Sequence, residues 1–417
     1  MPIDGSRLWR NLDALAALTE PDRPWTRRSF TPRFMQGRAW LTQQFEAAGL
    51  AVEIDAGGNL IGRRAGAQPH LKPILIGSHS DSVPSGGRYD GMLGLLAALE
   101  VVDTLNDRGQ VLAHPLEVVD FLAEEPSEFG ISCIGSRALA GKLDETMLAL
   151  TRPDGMSLRE ALAFVGGQPE SLARARRAPG DITAYVELHI EQGKILERGG
   201  LDVGVVTGLA AIRRVRIQVT GRADHAGQTP MDDRADALVA AARIIDATYR
   251  MALTHSRPDQ PFVATIGRIE TLSPNAANAV AGYVELVLEC RSADEARVQA
   301  FVPAVLGSLA SSFDSLGVQV THELMSHVAP SPCDEAIQSV IEQIADEAGY
   351  GHCRLSSGAG HDGMWVSHVG PFGMIFVPCK DGRSHTPEEW LSPEQAAVGA
   401  EALYRTVLRL DQGVHPA

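Results

Sequence analysis

The sequence predicts an α/β protein: a mostly parallel sheet flanked by helices, interrupted by an inserted ferredoxin-like α+β domain. Three observations carry this. Short, largely apolar runs of strand length recur at 73–77, 116–122, 183–189 and 373–377, the pattern of strands buried on both faces of a sheet. Between about 212 and 328 the pattern changes to strict alternation and Ala-rich helix. The 417 residues exceed what one core usually holds, which suggests two domains. The reading is a catalytic domain in two parts, 1–211 and 329–417, around an insertion at 212–328.

Residues 7–19 and 33–49 carry apolar side chains at helical spacing. Pro73-Ile74-Leu75-Ile76-Gly77 is a buried strand that delivers His79. Asp90 opens a helix in which Met92, Leu95, Leu96, Leu99 and Val102 recur at helical spacing, and it stands where an N-cap would. The strand 116–122 ends in Glu124-Glu125. In the strand 183–189 and just beyond, Glu187, His189 and Glu191 share a face by the period of two. His385 follows the last strand, 373–377, after a short turn. The stretch 165–181, with Gly166-Gly167 and Arg174 to Arg177, reads as a loop. In the insertion, Val215, Ile217 and Val219 alternate with Arg214, Arg216 and Gln218. A helix at 235–254, strands at 261–271 and 283–291, a helix at 294–316 and a strand at 318–326 follow. That order, β-α-β-β-α-β, is ferredoxin-like.

Composition excludes some classes. With 52 acids against 37 bases the chain carries −15, which argues against a nucleic-acid or anionic-membrane surface. No apolar stretch approaches the ~18 residues that span a bilayer, and the N-terminus lacks the pattern of a signal peptide. Five cysteines without a CxxC pair suggest reduced thiols. The expectation is a cytoplasmic protein.

The chemistry lies in His79, Asp90, Glu125, His189 and His385, most of them just beyond predicted strands. In open α/β sheets the carboxyl ends of the strands form the ligand crevice, so residues remote in sequence are expected to meet there. A lone His is more often an ordinary core or surface residue, and a lone Asp at a helix start is more often only a cap. Five such residues at equivalent places point instead to a metal site. Five ligands are too many for one catalytic tetrahedral ion. They suit two ions ~3.5–4 Å apart that share a carboxylate and activate a water, with Asp90 the candidate bridge. Asp81 either orients the His79 imidazole or makes an Asx turn. Glu124, beside a ligand, is the candidate general base.

The strings Gly77-Ser78-His79-Ser80-Asp81, Gly86-Gly87-Arg88-Tyr89-Asp90-Gly91, Glu124-Glu125, Glu187-Leu188-His189-Ile190-Glu191-Gln192-Gly193 and Ser384-His385 resemble the M20-type metallopeptidase superfamily. More narrowly they resemble its branch of N-carbamoyl-L-amino-acid hydrolases, β-ureidopropionases and allantoate amidohydrolases, over nearly the whole chain. The resemblance implies a zinc-peptidase-like fold and a division of ligands: His79 and His189 on one ion, Glu125 and His385 on the other, Asp90 bridging. It also implies a homodimer through 212–328. Asp224-His225-Ala226-Gly227 resembles a loop that brings His225 to the neighbouring subunit's active site. Asn278 in Pro274-Asn275-Ala276-Ala277-Asn278, Arg291 in Glu289-Cys290-Arg291, Gln192, and His361 in Gly360-His361-Asp362 are implied substrate contacts.

Two departures stand out: Ser80 where an apolar residue is common, and Glu128 where many relatives have Arg. The latter weakens the allantoate reading.

The expected reaction is hydrolysis of the linear C–N bond of an N-carbamoyl or N-acyl amino acid, not a peptide. Two divalent ions, zinc or manganese with cobalt or nickel as options, assist it. An allantoate or other ureide amidohydrolase, an aminoacylase or dipeptidase, and a non-catalytic metal-binding protein are the alternatives. A scaffold needs no Glu124.

Overall fold

A computed structural model describes residues 2–257 and 260–413. They form two compact units: the residues up to Thr207 with those from Pro332 on, and Gly208–Ser331.

The first unit is built on a nine-stranded sheet. In chain order its strands are β1 (Ala51–Ile54), β2 (Leu60–Arg64), β3 (Ile74–His79), β4 (Leu116–Phe121), β5 (Ala184–Ile190) and β6 (Val203–Leu209). The strands β7 to β12 belong to the second unit. They are β7 (Ala211–Thr220), β8 (Asp224–His225), β9 (Phe262–Ser273), β10 (Ala279–Val280), β11 (Tyr283–Ser292) and β12 (Gln319–Val328). The first sheet resumes with β13 (Ser331–Pro332), β14 (His352–Ser357) and β15 (Phe372–Val377).

The sheet order is β1-β2-β4-β3-β5-β15-β6-β13, with β14 on β6. The central strands β4, β3, β5 and β15 are parallel. They are flanked by antiparallel β2 and β6. Every residue of β3, β4, β5 and β15 is buried, as strands covered on both faces require. The helix Met92–Asp107 is buried almost all round. Its Leu93, Leu96 and Val101 share a core with Ile76, Val186, Leu403 and Val407. Because the four central strands run the same way, their carboxyl ends open on one side. His79 ends β3, and His189 pairs with Phe376 near the ends of β5 and β15.

The second unit has the four-stranded antiparallel order β12-β7-β11-β9, with helices at Ala237–His255 and Glu295–Ser308. This is the ferredoxin-like β-α-β-β-α-β arrangement. Val215, Ile217 and Val219 turn into its core with Leu286, Leu288, Ile244 and Phe301.

Several expectations are corrected. The helix expected at 294–316 is two, Glu295–Ser308 and Ala310–Leu316, which break at Leu309. The first helices are Gly5–Ala16 and Pro32–Ala47 rather than 7–19 and 33–49. Each starts earlier because Asp4 and Thr31 cap it. The stretch 165–181 includes a 3-10 turn at Pro169–Arg174. The β1–β2 hairpin leaves little signal in the sequence, because its strands are four and five residues long and carry Glu53, Arg63 and Arg64. Asp90 is not a helix cap. Gly91 is, with φ 71° and no side-chain cap bond, which frees the Asp90 carboxylate. Among the described residues no helix is long and apolar enough to cross a membrane. The five cysteines are unpaired.

Candidate metal centre and active site

The ends of the parallel strands gather the five expected ligands. Two groups of donor atoms form, His79–Asp90–His189 and Asp90–Glu125–His385, and Asp90 is common to both. Its Oδ1 lies 3.5 Å from His79 Nε2 and 3.1 Å from His189 Nε2. Its Oδ2 lies 3.3 Å from His385 Nε2, which is also 3.3 Å from Glu125 Oε1. Glu124 Oε2 is 3.7 Å from His79 Nε2.

Local chemistry sets these positions. His79 Nδ1 donates to the Asp81 carbonyl at 3.0 Å, and His189 Nδ1 to the Ile190 carbonyl at 2.9 Å. Both bonds fix the ring and turn Nε2 toward Asp90, the usual support of a metal-ligating imidazole. Gly91 is obligatory here. A Cβ on it would lie 2.4 Å from the His79 ring, and its φ is left-handed.

Beyond β4 the chain bends through Ala123 at φ 51°. The N–H groups of Cys133, Ile134 and Gly135 donate to the carbonyls of Glu124, Ala123 and Leu122 at 3.0, 3.1 and 2.8 Å. The carboxylate of Asp81 lies 3.6 Å from His79 Nδ1 and also accepts the N–H groups of Glu124 and Glu125 at 3.2 and 3.3 Å. Its backbone carbonyl takes the closer contact with His79. Cys133, Gln192 and His385 also hold left-handed conformations. For non-glycine residues these cost about 1–3 kcal/mol each and cluster at functional sites.

Carboxylates dominate the electrostatics. Burial pushes Glu124 well above the usual carboxylate range. His79 opposes this, and Glu125, Asp362 and Asp90 add to it. Burial also pushes Glu125 up, against the pull of His385. Asp90 is held well below its usual range, because His189, His385 and His79 outweigh its burial. His79 is raised well above, because Glu124, Asp81 and Asp90 outweigh burial. Hydrogen bonds to Asp90 and Glu125 push His385 up to about 11.

The donor set fits a divalent cation. It is imidazole and carboxylate, it carries excess buried negative charge, and His79 Nε2 is buried with no hydrogen-bond partner. A third group, Glu187–His189–His361, is already satisfied at its carboxylate. Glu187 accepts from Ser78 at 2.6 Å and Tyr185 at 2.9 Å.

The expected substrate contacts divide between the units. Gln192 Nε2 donates to Asp90 Oδ2 at 2.6 Å. His361 is buried, 3.1 Å from Ser357 Oγ, with its ring 4.6 Å from that of His189. His225, Asn278 and Arg291 lie in the second unit. There β8 pairs with β10, and the N–H of Ala226 donates to the Asn278 carbonyl at 3.0 Å, so exposed His225 and Asn278 are neighbours. Arg291, near the end of β11, bonds Glu289 at 2.8 Å. Glu191 shares the His189 face in sequence, yet it accepts the N–H groups of Ile195 and Leu196 and caps a short helix.

The two departures find partners. Ser80 Oγ donates to buried Asp120 at 3.0 Å, and Asp120 pairs with Arg38 at 2.9 Å. Glu128 pairs with Arg28 at 2.9 Å. Sequence reasoning missed Ser384 and Glu389, which touch Asp90. No apolar periodicity marks Glu388-Glu389.

The chain is 42% identical over 413 residues to an N-carbamoyl-L-amino acid amidohydrolase of Geobacillus stearothermophilus, covering 99% of this chain and 100% of that one. It is 34% identical to a ureidoglycolate hydrolase of Arabidopsis thaliana, covering 98% and 87%. A crystal structure of an amidase of the hydantoinase/carbamoylase family from Burkholderia multivorans superposes with a TM-score of 0.87 at 35% identity, covering 98% of each chain. Residues 75–409 match peptidase family M20/M25/M40. With that match over most of its length and relatives aligned almost end to end, the chain belongs to peptidase family M20/M25/M40.

Proposed function

We propose that this chain is a metal-dependent amidohydrolase that cleaves the linear C–N bond of N-carbamoyl-L-amino acids to the amino acid, carbon dioxide and ammonia. The observation that carries the reading is the pair of donor groups sharing Asp90, with Glu124 beside them. The amidohydrolase relatives support the substrate class.

In this reading His79 and His189 hold one divalent ion, Glu125 and His385 a second, and Asp90 belongs to both. Zinc and manganese suit the donors, and cobalt and nickel are accepted by the same set. Such a pair supplies Lewis acidity and a reactive water at neutral pH. Glu124 takes the proton of the attacking water and delivers it to the departing nitrogen. Asp81 keeps Glu124 and Glu125 in place through their N–H groups. Gln192 and His361 contact the substrate. Arg291 and Asn278 bind its carboxylate, a task that suits a planar guanidinium. His225 stabilises the negative charge developing on the carbonyl oxygen, from the partner subunit of a homodimer formed through 212–328. Exposed Leu238, Ile245, Tyr249 and Leu253 along one face of a helix support that dimer. The unpaired cysteines support a cytoplasmic location.

The test is ammonia release from N-carbamoyl-L-amino acids by metal-stripped protein, with and without added manganese or zinc. Release restored by metal is the expected result. No release from protein that has bound two ions would move the substrate to a ureide such as ureidoglycolate, the reading the Arabidopsis relative favours, or to an N-acyl amino acid.

A further inference from the structure

Glu389 is buried at 1% exposure and holds three groups at once. Its Oε1 accepts the N–H of Tyr89 at 2.7 Å and of Asp90 at 3.1 Å. Its Oε2 lies 2.7 Å from the hydroxyl of Ser384, the residue before His385. That hydroxyl is also 2.6 Å from Asp90 Oδ2. One carboxylate thus ties the residue common to both donor groups to the turn that carries His385. The Gly86-Gly87 turn is shaped around it, since a Cβ on Gly87 would lie 1.8 Å from Glu389 Oε1.

The two halves of the centre need this tie unequally. His79 and His189 lie in β3 and β5, and the hydrogen-bond ladder of the sheet fixes them. His385 lies outside any strand, its side chain is 48% exposed, and its φ is 56°. Asp90 turns Oδ1 to the strand-borne histidines and Oδ2 to His385 and Ser384.

We propose that Glu389 is a positioning residue: through Ser384 and the N–H groups of Tyr89 and Asp90 it sets the affinity for the ion held by Asp90, Glu125 and His385. This rests on the two-ion reading above.

The test is titration of metal-stripped full-length protein with cobalt(II), read by bound-metal stoichiometry and visible absorption. In Glu389→Ala the first ion should bind as in the wild type. The second should bind about 10- to 100-fold more weakly, the usual effect of removing a group that supports a metal ligand. Glu389→Gln keeps an acceptor for the two N–H groups and a donor toward Ser384, so it should restore most of that affinity. A purely electrostatic role would not be rescued this way. Ser384→Ala leaves the N–H clamp intact and should give a smaller loss confined to the second ion. It carries the test if Glu389→Ala does not fold. Wild-type affinity for both ions in Glu389→Ala, or in Ser384→Ala where only that variant folds, overturns the inference alone. Equal weakening of both ions does the same. A wild-type protein that binds fewer than two ions overturns the two-ion reading and the inference with it.

Discussion

The two units handle charge in opposite ways. In the second, charged residues face solvent and pair across strands. Arg214 stands opposite Glu289 and Arg216 opposite Glu323, in ion-pair contact, while Arg268 meets Glu270 at 2.6 Å within β9 itself. Such pairs need little desolvation and return little. In the first unit, Asp81, Asp90, Glu124, Glu125, Glu187 and Asp362 are buried near one another. Among the described residues Arg27 and Arg38 are the buried arginines of this unit; Arg38 pairs with Asp120 and Arg27 donates to the carbonyls of Ser80 and Leu15, so neither forms an ion pair with these six. Their partners are imidazoles, hydroxyls and backbone N–H groups rather than arginines or lysines, and gathering so many buried carboxylates in one place is costly. A structural role explains the second arrangement and not the first, which makes sense where a cation and a proton transfer are to be served.

Breaking the comparison starts with the largest effect. Glu124→Ala should lower turnover by at least about 10²–10⁴-fold, the range supplied by general acid–base catalysis, while bound-metal content stays at the wild-type level. Full activity in that variant would remove Glu124 from the mechanism.

A second prediction concerns protons. His385 holds its proton up to about 11, well above an ordinary imidazole, and must lose it to bind a cation. Metal uptake at neutral pH should therefore release at least one proton, with a further one from His79, and affinity should fall by at least about tenfold for each unit the pH is lowered. Calorimetry in buffers of different ionisation enthalpy reads this directly. Uptake without proton release would mean that His385 is not a ligand.

The smallest effect belongs to the second unit. Arg216→Ala should cost about 0–1 kcal/mol in urea denaturation, because its partners Glu323 and Glu285 are solvated. A loss above about 2 kcal/mol would show that the exposed ladder is a structural element in its own right.

Much of this arrangement is legible in the sequence. The buried runs at 74–79, 116–121, 184–190 and 372–377 announce parallel strands, because only strands covered on both faces are apolar throughout. His79, Glu125 and His189 stand out because polar residues directly after such runs have few structural uses. The alternation in β7 marks a sheet with one covered face for the same reason. For Asp90 the sequence offers both a helix cap and a bridging ligand, and the structure gives the cap position to Gly91. Sequence places an acid before a helix, and only the left-handed Gly91 turns its carboxylate away from the helix and into the centre.

The sequence by itself determined the composition of the centre, the order of its elements and the change of pattern that sets off the insertion. These follow from periodicity and from the chemistry of individual side chains. Tertiary structure decided what holds the centre together. Asp81 reaches the N–H groups of Glu124 and Glu125, 43 and 44 positions away, and Glu389 reaches those of Tyr89 and Asp90 across 300 and 299. The physical reason is that a carboxylate accepting backbone N–H groups requires no particular residue type at the other end. The donor carries no signature in the sequence, and only the folded chain shows which one it is.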